Sequence, residues 1–176
     1  LVRSRGLGDV YKRQVLDKLG YRPNVGIVLV NHRNQVFWAK RANQVAWQFP
    51  QGGIQDGEST QQAMYRELME EVGLTAQLVE ILHHTQDWLY YDVPHDWVRK
   101  DENDRFYRGQ KQIWYLLRLL GKDQDISIQS TTNKPEFDDW GWVDYWRPLQ
   151  EIVAFKKGVY TFVLNEFASI LGFPPK

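Results

Sequence analysis

Hydrophobic and polar positions alternate along the chain in blocks that predict several strands. Residues 25–30 are almost entirely apolar, the turn residues NHRN follow, and QVFWAK continues as a second strand, which is typical of a β-hairpin. The segments AQLVEILHHTQDWLYYDV and QKQIWYLLRLL are rich in β-branched and aromatic residues, and we interpret each as one strand. EFDDWGWVDY is interpreted as the end of the sheet.

Two helices complete the pattern. Residues 59–72 form the first, because Ser59 followed by Gln62 fits a capping box and Gly73 suits a left-handed C-terminal cap. VYTFVLNEFASILG has apolar residues at helical spacing and closes on Gly172. Strands, one helix, further strands and a final helix predict an α+β fold or an α/β/α sandwich.

The length and composition set further bounds. A chain of 176 residues suits one domain, which we assign to residues 15–176. Residues 1–14, LVRSRGLGDVYKRQ, lack an initiator Met and resemble translated vector sequence, so we interpret them as non-native. The absence of cysteine excludes disulfides and thiolate metal sites, and no apolar run approaches the ~20 residues of a membrane span. We therefore predict a cytoplasmic protein.

A net charge of zero conceals an asymmetry. Residues 15–50 carry a net charge of +4, whereas residues 51–75 carry −4. A cationic region beside an acidic cluster is typical of a site for a polyanion and metal ions, although two solvated surfaces that never meet would show the same charges.

The acidic cluster lies on the first predicted helix. Glu67, Glu70 and Glu71 are three and four residues apart, so their carboxylates share one helix face and repel each other. A hard divalent cation such as Mg²⁺ between them would explain the arrangement, because Mg²⁺ takes oxygen ligands. Arg66 is suited to hold one carboxylate in place through a bidentate contact.

These residues resemble the Nudix box, G-x5-E-x7-R-E-U-x-E-E-x-G-U with U aliphatic. Every fixed position is matched: Gly52, Glu58, Arg66, Glu67, Leu68, Glu70, Glu71, Gly73 and Leu74. The resemblance implies a Nudix fold, in which a mixed β-sheet lies in an α/β/α sandwich and a catalytic loop–helix–loop binds metal and cleaves a pyrophosphate linked to another moiety. A solvated acidic helix is the structural alternative.

The flanking segments narrow the resemblance. YRPNVGIVLVN, WQFPQGG, GQKQIWYLL, PEFDDWGWV and VAFKKGVY occur in this order over residues 20–172. Together they are similar to the bacterial RNA 5′-pyrophosphohydrolases, also described as (di)nucleoside polyphosphate hydrolases. Two features differ from that branch: the loop at residues 94–108 is unusually acidic, and the chain ends at FPPK without a basic tail.

The resemblance implies roles for individual residues. Glu67, Glu70 and Glu71 would bind Mg²⁺, or Mn²⁺ or another divalent cation, with the Gly52 carbonyl. Glu136 would join the metal site or act as general base, and Glu70 competes for the base role. Substrate contacts would come from Arg22 and Lys40 on the polyphosphate, Arg41 and Phe155 stacked about the first nucleobase, and Val153 and Lys156 at the second nucleotide.

Several of these residues have structural alternatives. Phe155 would also suit the core, Glu136 a turn, and Arg22 and Lys40 the solvated surface. Lys156 and Lys157 would form an ordinary solvated basic pair. His83 and His84 are adjacent on a strand and point to opposite faces, so we interpret them as structural. We assign Trp88, Trp114, Trp140 and Trp142 to the core or the sheet faces.

The leading functional hypothesis is a Mg²⁺-dependent hydrolase that converts 5′-triphosphate or 5′-diphosphate RNA ends to 5′-monophosphate and so exposes transcripts to decay. A diadenosine polyphosphate hydrolase is the alternative enzyme, because it would use the same box and many of the same flanks. A non-catalytic nucleotide-binding or RNA-binding module is a more remote alternative, since every box carboxylate is present. The flanks disfavour a hydrolase of oxidised nucleotides. The sequence does not specify any protein activator.

Overall fold

The computed structural model describes residues 16–100, 105–129 and 134–176. Residues 1–14, which we interpret as non-native, lie outside these ranges, and so do residues 101–104 of the long loop. The strands are β1 Tyr21–Val30, β2 Val36–Arg41, β3 Trp47–Gln48, β4 Gln51–Gly53, β5 Val79–His84, β6 Leu89–Asp92, β7 Arg99–Lys100, β8 Phe106–Tyr107, β9 Gly109–Leu119 and β10 Phe137–Val143. The helices are α1 Thr60–Val72, α2 Pro148–Glu151 and α3 Lys157–Leu171, and the described residues also form four short 3₁₀ turns.

The main sheet is mixed. Its strands lie in the order β10-β2-β1-β9-β5, with β3 beside β2, β4 beside β1 and β6 beside β9. The central pair, β1 and β9, is parallel from Tyr21↔Gly109 to Val30↔Arg118, and the other pairs of this sheet are antiparallel. The strands β7 and β8 form a separate two-stranded ribbon in the long loop. The predicted β1–β2 hairpin is confirmed.

Alternation along the central strands produces two cores. Val25, Ile27 and Leu29 pack with α1 on one face of the sheet, whereas Val28 and Val30 pack with α3 on the other. A side-chain period of two residues divides one buried strand between both faces. The predicted α+β architecture, with a mixed sheet between helices as in the Nudix fold, is therefore confirmed.

The prediction of one strand over residues 76–93 is wrong. A 3₁₀ turn at Ala76–Leu78 precedes β5, and the chain leaves the ladder before β6. Buried Thr85 causes this break, because its hydroxyl accepts a hydrogen bond from the Trp114 N–H at 3.0 Å while its own N–H donates to the Trp114 carbonyl at 2.9 Å. Consequently β5 and β6 pair with different halves of β9.

The structural interpretations of the histidines and tryptophans are confirmed. His83 contacts Phe167 and Glu166 of α3, whereas His84 lies against Tyr115 on the α1 side. Trp114 is fully buried, and the other three tryptophans, Trp88, Trp140 and Trp142, pack against the α1-side core. Within the described ranges, no helix is long and apolar enough to cross a membrane.

Candidate active site

The loop before α1 and the helix itself form one capped unit. The Ser59 hydroxyl accepts the Gln62 N–H at 3.1 Å, and the Gln62 side-chain oxygen accepts the Ser59 N–H at 2.9 Å. At the other end, Gly73 adopts φ = 74°, which a side chain would disfavour. Both predicted caps are confirmed, so the register of the glutamates on the helix is fixed.

Arg66 ties this helix to the loop that precedes it. Its guanidinium donates to both carboxylate oxygens of Glu58, at 2.7 and 3.0 Å, and to the Gly53 carbonyl at 2.8 Å. It also donates to Glu67 at 2.6 Å and lies 3.4 Å from Glu70. The bidentate partner of Arg66 is thus Glu58, and the helix glutamates receive single contacts. These contacts raise the pKa of Arg66, with the Glu58 hydrogen bond as the main cause.

Glu67 and Glu71 are buried acids, each only 7 % exposed. Burial raises the pKa of Glu67 to about 7 despite the hydrogen bond from Arg66. Burial, and then the charges of Glu67 and Glu136, raise the pKa of Glu71 well above its usual value. The Gln51 N–H donates to Glu71 at 3.2 Å, which partly offsets that effect. The ion pair of Glu67 with Arg66 therefore does not offset the burial of these two neighbouring carboxylates.

Gly52 lies directly against this acid pair. A Cβ atom built there would be 1.9 Å from the carboxylate carbon of Glu67, so a larger residue would displace this carboxylate. In the part of the chain that the structure describes, no three acidic or histidine side chains are already grouped as metal ligands. The donor set nevertheless suits a hard divalent cation, because buried carboxylate oxygens beside a side-chain-free backbone would surround it with the ligands that Mg²⁺ takes.

Glu70 differs from its two neighbours. Its side chain is 51 % exposed and contacts Arg66, and it does not line the cleft described next. The structure therefore brings Glu67 and Glu71 towards the cleft and leaves Glu70 at the surface of the helix.

A cleft of about 1150 Å³ opens beside the acids. Nine of the residues proposed for metal or substrate line it: Arg22, Arg41, Gly52, Glu67, Glu71, Glu136, Val153, Phe155 and Lys156. These residues come from β1, β2, β4, α1, the position just before β10 and the segment before α3, so the fold assembles them from most of the chain. Among the described residues, the lining excludes Lys40, Glu58, Arg66, Glu70 and Gly73.

Arg22 is a cation of this lining whose charge acts on Glu67. Its guanidinium lies over Gly53, where an added Cβ would be 2.2 Å from the terminal nitrogen. Burial lowers its pKa, while the nearby tyrosines and Glu67 act in the opposite direction. Within the described ranges the Arg22 side chain has no hydrogen bond or ion pair, so its donors are free to bind an anion.

Lys40 lies elsewhere. Its ammonium forms an ion pair with Asp138 at 2.8 Å, and this hydrogen bond lowers the pKa of Asp138. The Asn43 N–H also donates to Asp138, at 3.1 Å. In this conformation Lys40 joins β2 to β10, and its role on the polyphosphate stays a prediction.

Arg41 and Glu136 form an ion pair in the lining of the cleft. Their side chains lie 3.5 Å apart and both are partly exposed, while the Arg41 Nε is buried without a hydrogen-bond partner in the described structure. Glu136 follows residues 130–133, which are outside the described ranges, and precedes β10. The Glu136 carboxylate is thus positioned both by its ion pair with Arg41 and by the strand β10 that follows it.

Lys156 and Phe155, which precede α3, also line the cleft. Lys156 is only 7 % exposed, donates to the Gln48 side-chain oxygen at 3.1 Å and lies over the Tyr91 ring at 5.8 Å. Burial, and then the charge of Arg41, lower its pKa to about 8. The interpretation of Lys156 as half of a solvated basic pair is therefore wrong. Phe155 packs against the α3-side core and also lines the cleft.

Sequence patterns alone did not identify several lining residues. Gln48 and Gln51 lie within the quoted WQFPQGG segment, yet only the fold shows that they contact Lys156 and Glu71. Trp97, Lys100 and Arg105 come from the long loop, which periodicity could not place. The long loop, noted above for its acidic residues, thus contributes cations and an aromatic ring to the lining of the cleft.

Comparison with known proteins identifies the class. The NUDIX domain family matches residues 20–162, most of the chain, so the protein belongs to the Nudix family. It is a Nudix hydrolase acting on phosphoric anhydride bonds, and enzymes of this family generally use divalent cations such as Mg²⁺.

Solved structures share the fold. A dihydroneopterin triphosphate pyrophosphohydrolase of E. coli is 18 % identical with a TM-score of 0.64, and the match covers 84 % of this chain and 98 % of that one. An Ap4A hydrolase of C. elegans is 19 % identical with a TM-score of 0.57, over 85 % and 98 % of the two chains. A MutT protein of Methanosarcina mazei is 15 % identical with a TM-score of 0.53, over 85 % and 96 %. At these identities the likeness concerns the fold alone.

Proposed function

We propose that this hydrolase is a Mg²⁺-dependent RNA pyrophosphohydrolase. It takes single-stranded RNA with a 5′-triphosphate or 5′-diphosphate and leaves a 5′-monophosphate, which opens the transcript to decay. A transcript substrate implies action in the cytoplasm.

The observation that carries this proposal is the composition of the cleft. It holds buried carboxylates together with Arg22, which has no side-chain hydrogen bond or ion pair to the described residues, and these groups suit a metal-bound polyphosphate. It also holds Arg41, Phe155 and Lys156, which offer a guanidinium plane, an aromatic ring and an ammonium. Single-stranded RNA is bound through splayed bases stacked on such groups, with cations on its backbone. A substrate with an anhydride at one end and bases beyond it therefore fits the whole cleft.

The chemistry is a displacement at phosphorus. A water attacks the phosphorus next to the nucleoside, a general base takes its proton, and the P–O anhydride bond breaks to release pyrophosphate from a triphosphate end. Mg²⁺ held by Glu67, Glu71 and the Gly52 carbonyl would supply positive charge to the phosphate oxygens. Arg22 binds the same oxygens as their charge increases, and Arg66 keeps Glu67 in place.

Glu136 is favoured as the general base. It lines the cleft near Glu71, and its carboxylate lies 3.5 Å from the Arg41 guanidinium. Glu70 is the alternative for this role, although here its carboxylate faces Arg66 at the helix surface. If Glu136 is the general base, Glu70 would join the metal site when the substrate and Mg²⁺ are bound.

A diadenosine polyphosphate hydrolase is the second candidate. The solved structure of an Ap4A hydrolase shares this fold, and a dinucleoside polyphosphate also offers an anhydride between stacking bases. The two candidates differ in what lies beyond the second nucleotide, because only RNA continues as a chain.

The deciding experiment is a parallel assay of two substrates. Protein with Mg²⁺ receives a short single-stranded RNA with a 5′-triphosphate and, separately, diadenosine tetraphosphate, with EDTA samples as blanks. We expect a higher kcat/KM on the RNA, with pyrophosphate and 5′-monophosphate RNA as products. A higher kcat/KM on the dinucleotide would replace the proposal by the second candidate, and no activity on either would leave a binding-only module.

A further inference from the structure

The cleft has an aromatic wall that the residues assigned above do not explain. Trp97 ends a 3₁₀ turn, His95–Trp97, in the long loop, and it lines the cleft although 53 % of it is exposed. Its ring lies 5.4 Å from that of Phe155 with the planes at 75°. In the described structure the indole N–H makes no hydrogen bond. A large aromatic side chain is thus about half exposed to solvent at the cleft.

The two rings form a corner that suits a flat ligand. A nucleobase stacked on either ring presents its edge to the other, and this combination of stacking and edge contact is the arrangement that aromatic groups prefer. The Lys156 ammonium lies 6.0 Å from the Phe155 ring and adds positive charge to the corner. The corner therefore offers an aromatic, cationic surface to a base within a charged chain, without selecting one base.

Neighbouring contacts along the cleft lead from the acids to this corner. The Gln51 N–H donates to Glu71 at 3.2 Å, and Gln51 and Tyr91 both line the cleft. The Tyr91 ring lies 5.8 Å from that of Phe155, and Trp97 contacts Phe155 in turn. A base on Trp97 therefore lies next to a base stacked on Phe155.

From this order we infer that Trp97 binds the second nucleobase of the substrate and makes the enzyme favour ligands with two bases over mononucleotides. The inference rests on the proposed function, because it requires the cleaved anhydride to lie at Glu67 and Glu71. It extends that function by identifying a residue that selects the substrate class.

The test compares a two-base with a one-base substrate in the Trp97→Ala variant. Removal of a base–aromatic stack costs roughly 5- to 150-fold in affinity, so kcat/KM on the dinucleotide pppApG should fall by a factor in this range. For ATP it should change by less than about twofold, because ATP has no second base. Trp97→Phe, which keeps an aromatic face, should recover most of the loss.

Phe162→Ala is the matched control, because Phe162 is equally exposed at 54 % but does not line the cleft. It should leave both substrates unaffected. Equal losses of Trp97→Ala on pppApG and ATP, or no loss on pppApG, would overturn the inference.

Two further measurements distinguish a failure of this inference from a failure of the proposed function. Diadenosine tetraphosphate also has two bases, so a selective loss on it in Trp97→Ala supports the subsite even where RNA is not the preferred substrate. If the protein hydrolyses none of these compounds, calorimetric Kd values for pppApG and ATP in both proteins give the same comparison. A Kd ratio unchanged by Trp97→Ala would contradict the inference.

Discussion

Gly52 shows how one missing side chain makes room for the chemistry. Its place in the box follows from the sequence, but the reason appears only in the fold, where β4 brings its Cα against the Glu67 carboxylate. A methyl group here would displace that carboxylate. The sequence therefore identified the residue, and the structure identifies the contact that requires it.

Gly52→Ala should reduce kcat by at least about 100-fold, because the Glu67 carboxylate must move from its position beside the backbone. The measurement is a steady-state assay with circular dichroism as the check on folding. Gly141→Ala is the control, since a Cβ on this strand glycine would meet no atom within 4 Å. Equal activity of the two variants would show that the Glu67 position is not essential.

The two candidate bases differ in their surroundings, which makes them separable. Glu136→Gln should lower kcat by roughly 100-fold or more at saturating Mg²⁺ and leave the Mg²⁺ concentration for half-maximal rate unchanged, as expected for loss of a general base. Glu70→Gln should raise that Mg²⁺ concentration, because this residue joins the metal site. A raised Mg²⁺ requirement in Glu136→Gln and an unchanged one in Glu70→Gln would exchange the two roles.

At the scale of elements, α1 is the part that its sequence specifies most completely. The cap residues, the helical spacing and the final glycine all indicate the same boundaries, and the structure agrees with them. The segment at residues 76–93 lacked such signals. Its break depends on the hydrogen bonds between Thr85 and Trp114, 29 residues away, which local propensity cannot reveal.

The contact of Arg66 with Glu58 links α1 to the preceding loop, and its loss should affect stability as well as activity. Arg66→Lys cannot make the two parallel hydrogen bonds, so the free energy of unfolding should fall by about 2 kcal/mol. Urea denaturation monitored by circular dichroism measures this. Arg147→Lys, in an exposed pair with Glu151, is the control and should change stability by less than about 0.5 kcal/mol. Similar values for both variants would mean that the Arg66 contacts are no stronger than a surface pair.

For the whole molecule, the buried acids predict how stability depends on pH and metal. The pKa of Glu67 is about 7 in the folded protein, compared with an ordinary value of 4.5 in the unfolded chain. The folded state therefore binds this proton more tightly than the unfolded state. Stability is then greatest below the unfolded pKa and declines as pH rises from about 4.5 through about 7. The contribution lost is on the order of 3 kcal/mol.

Thermal melting in EDTA at pH 5.5 and pH 8 tests this, with Glu67→Gln as the control. The wild-type Tm should be lower at pH 8, the difference should shrink in the variant, and Mg²⁺ should raise the wild-type Tm most at pH 8, where the acids are ionised. An identical pH dependence of Tm in both proteins would show that Glu67 is not the group responsible.

The assembly of the cleft is the feature that local sequence patterns predict least. The box lies in one continuous segment and could be recognised directly. By contrast, Arg22, Arg41 and Lys156 meet only because the parallel β1–β9 pair and the start of α3 bring distant segments to one side. Spacing along the chain predicts which residues share a helix face. Which residues share a cleft depends on the topology of the whole domain.

The separate ribbon of β7 and β8 has a consequence for how such an enzyme changes over time. The acids and Gly52 are on elements shared by the main sheet and α1, whereas Trp97 lies in a loop whose strands pair only with each other. Mutations in that loop can therefore alter which ligand is accepted without disturbing the groups that break the anhydride. New preferences can arise by drift in one segment, at little risk to the inherited reaction.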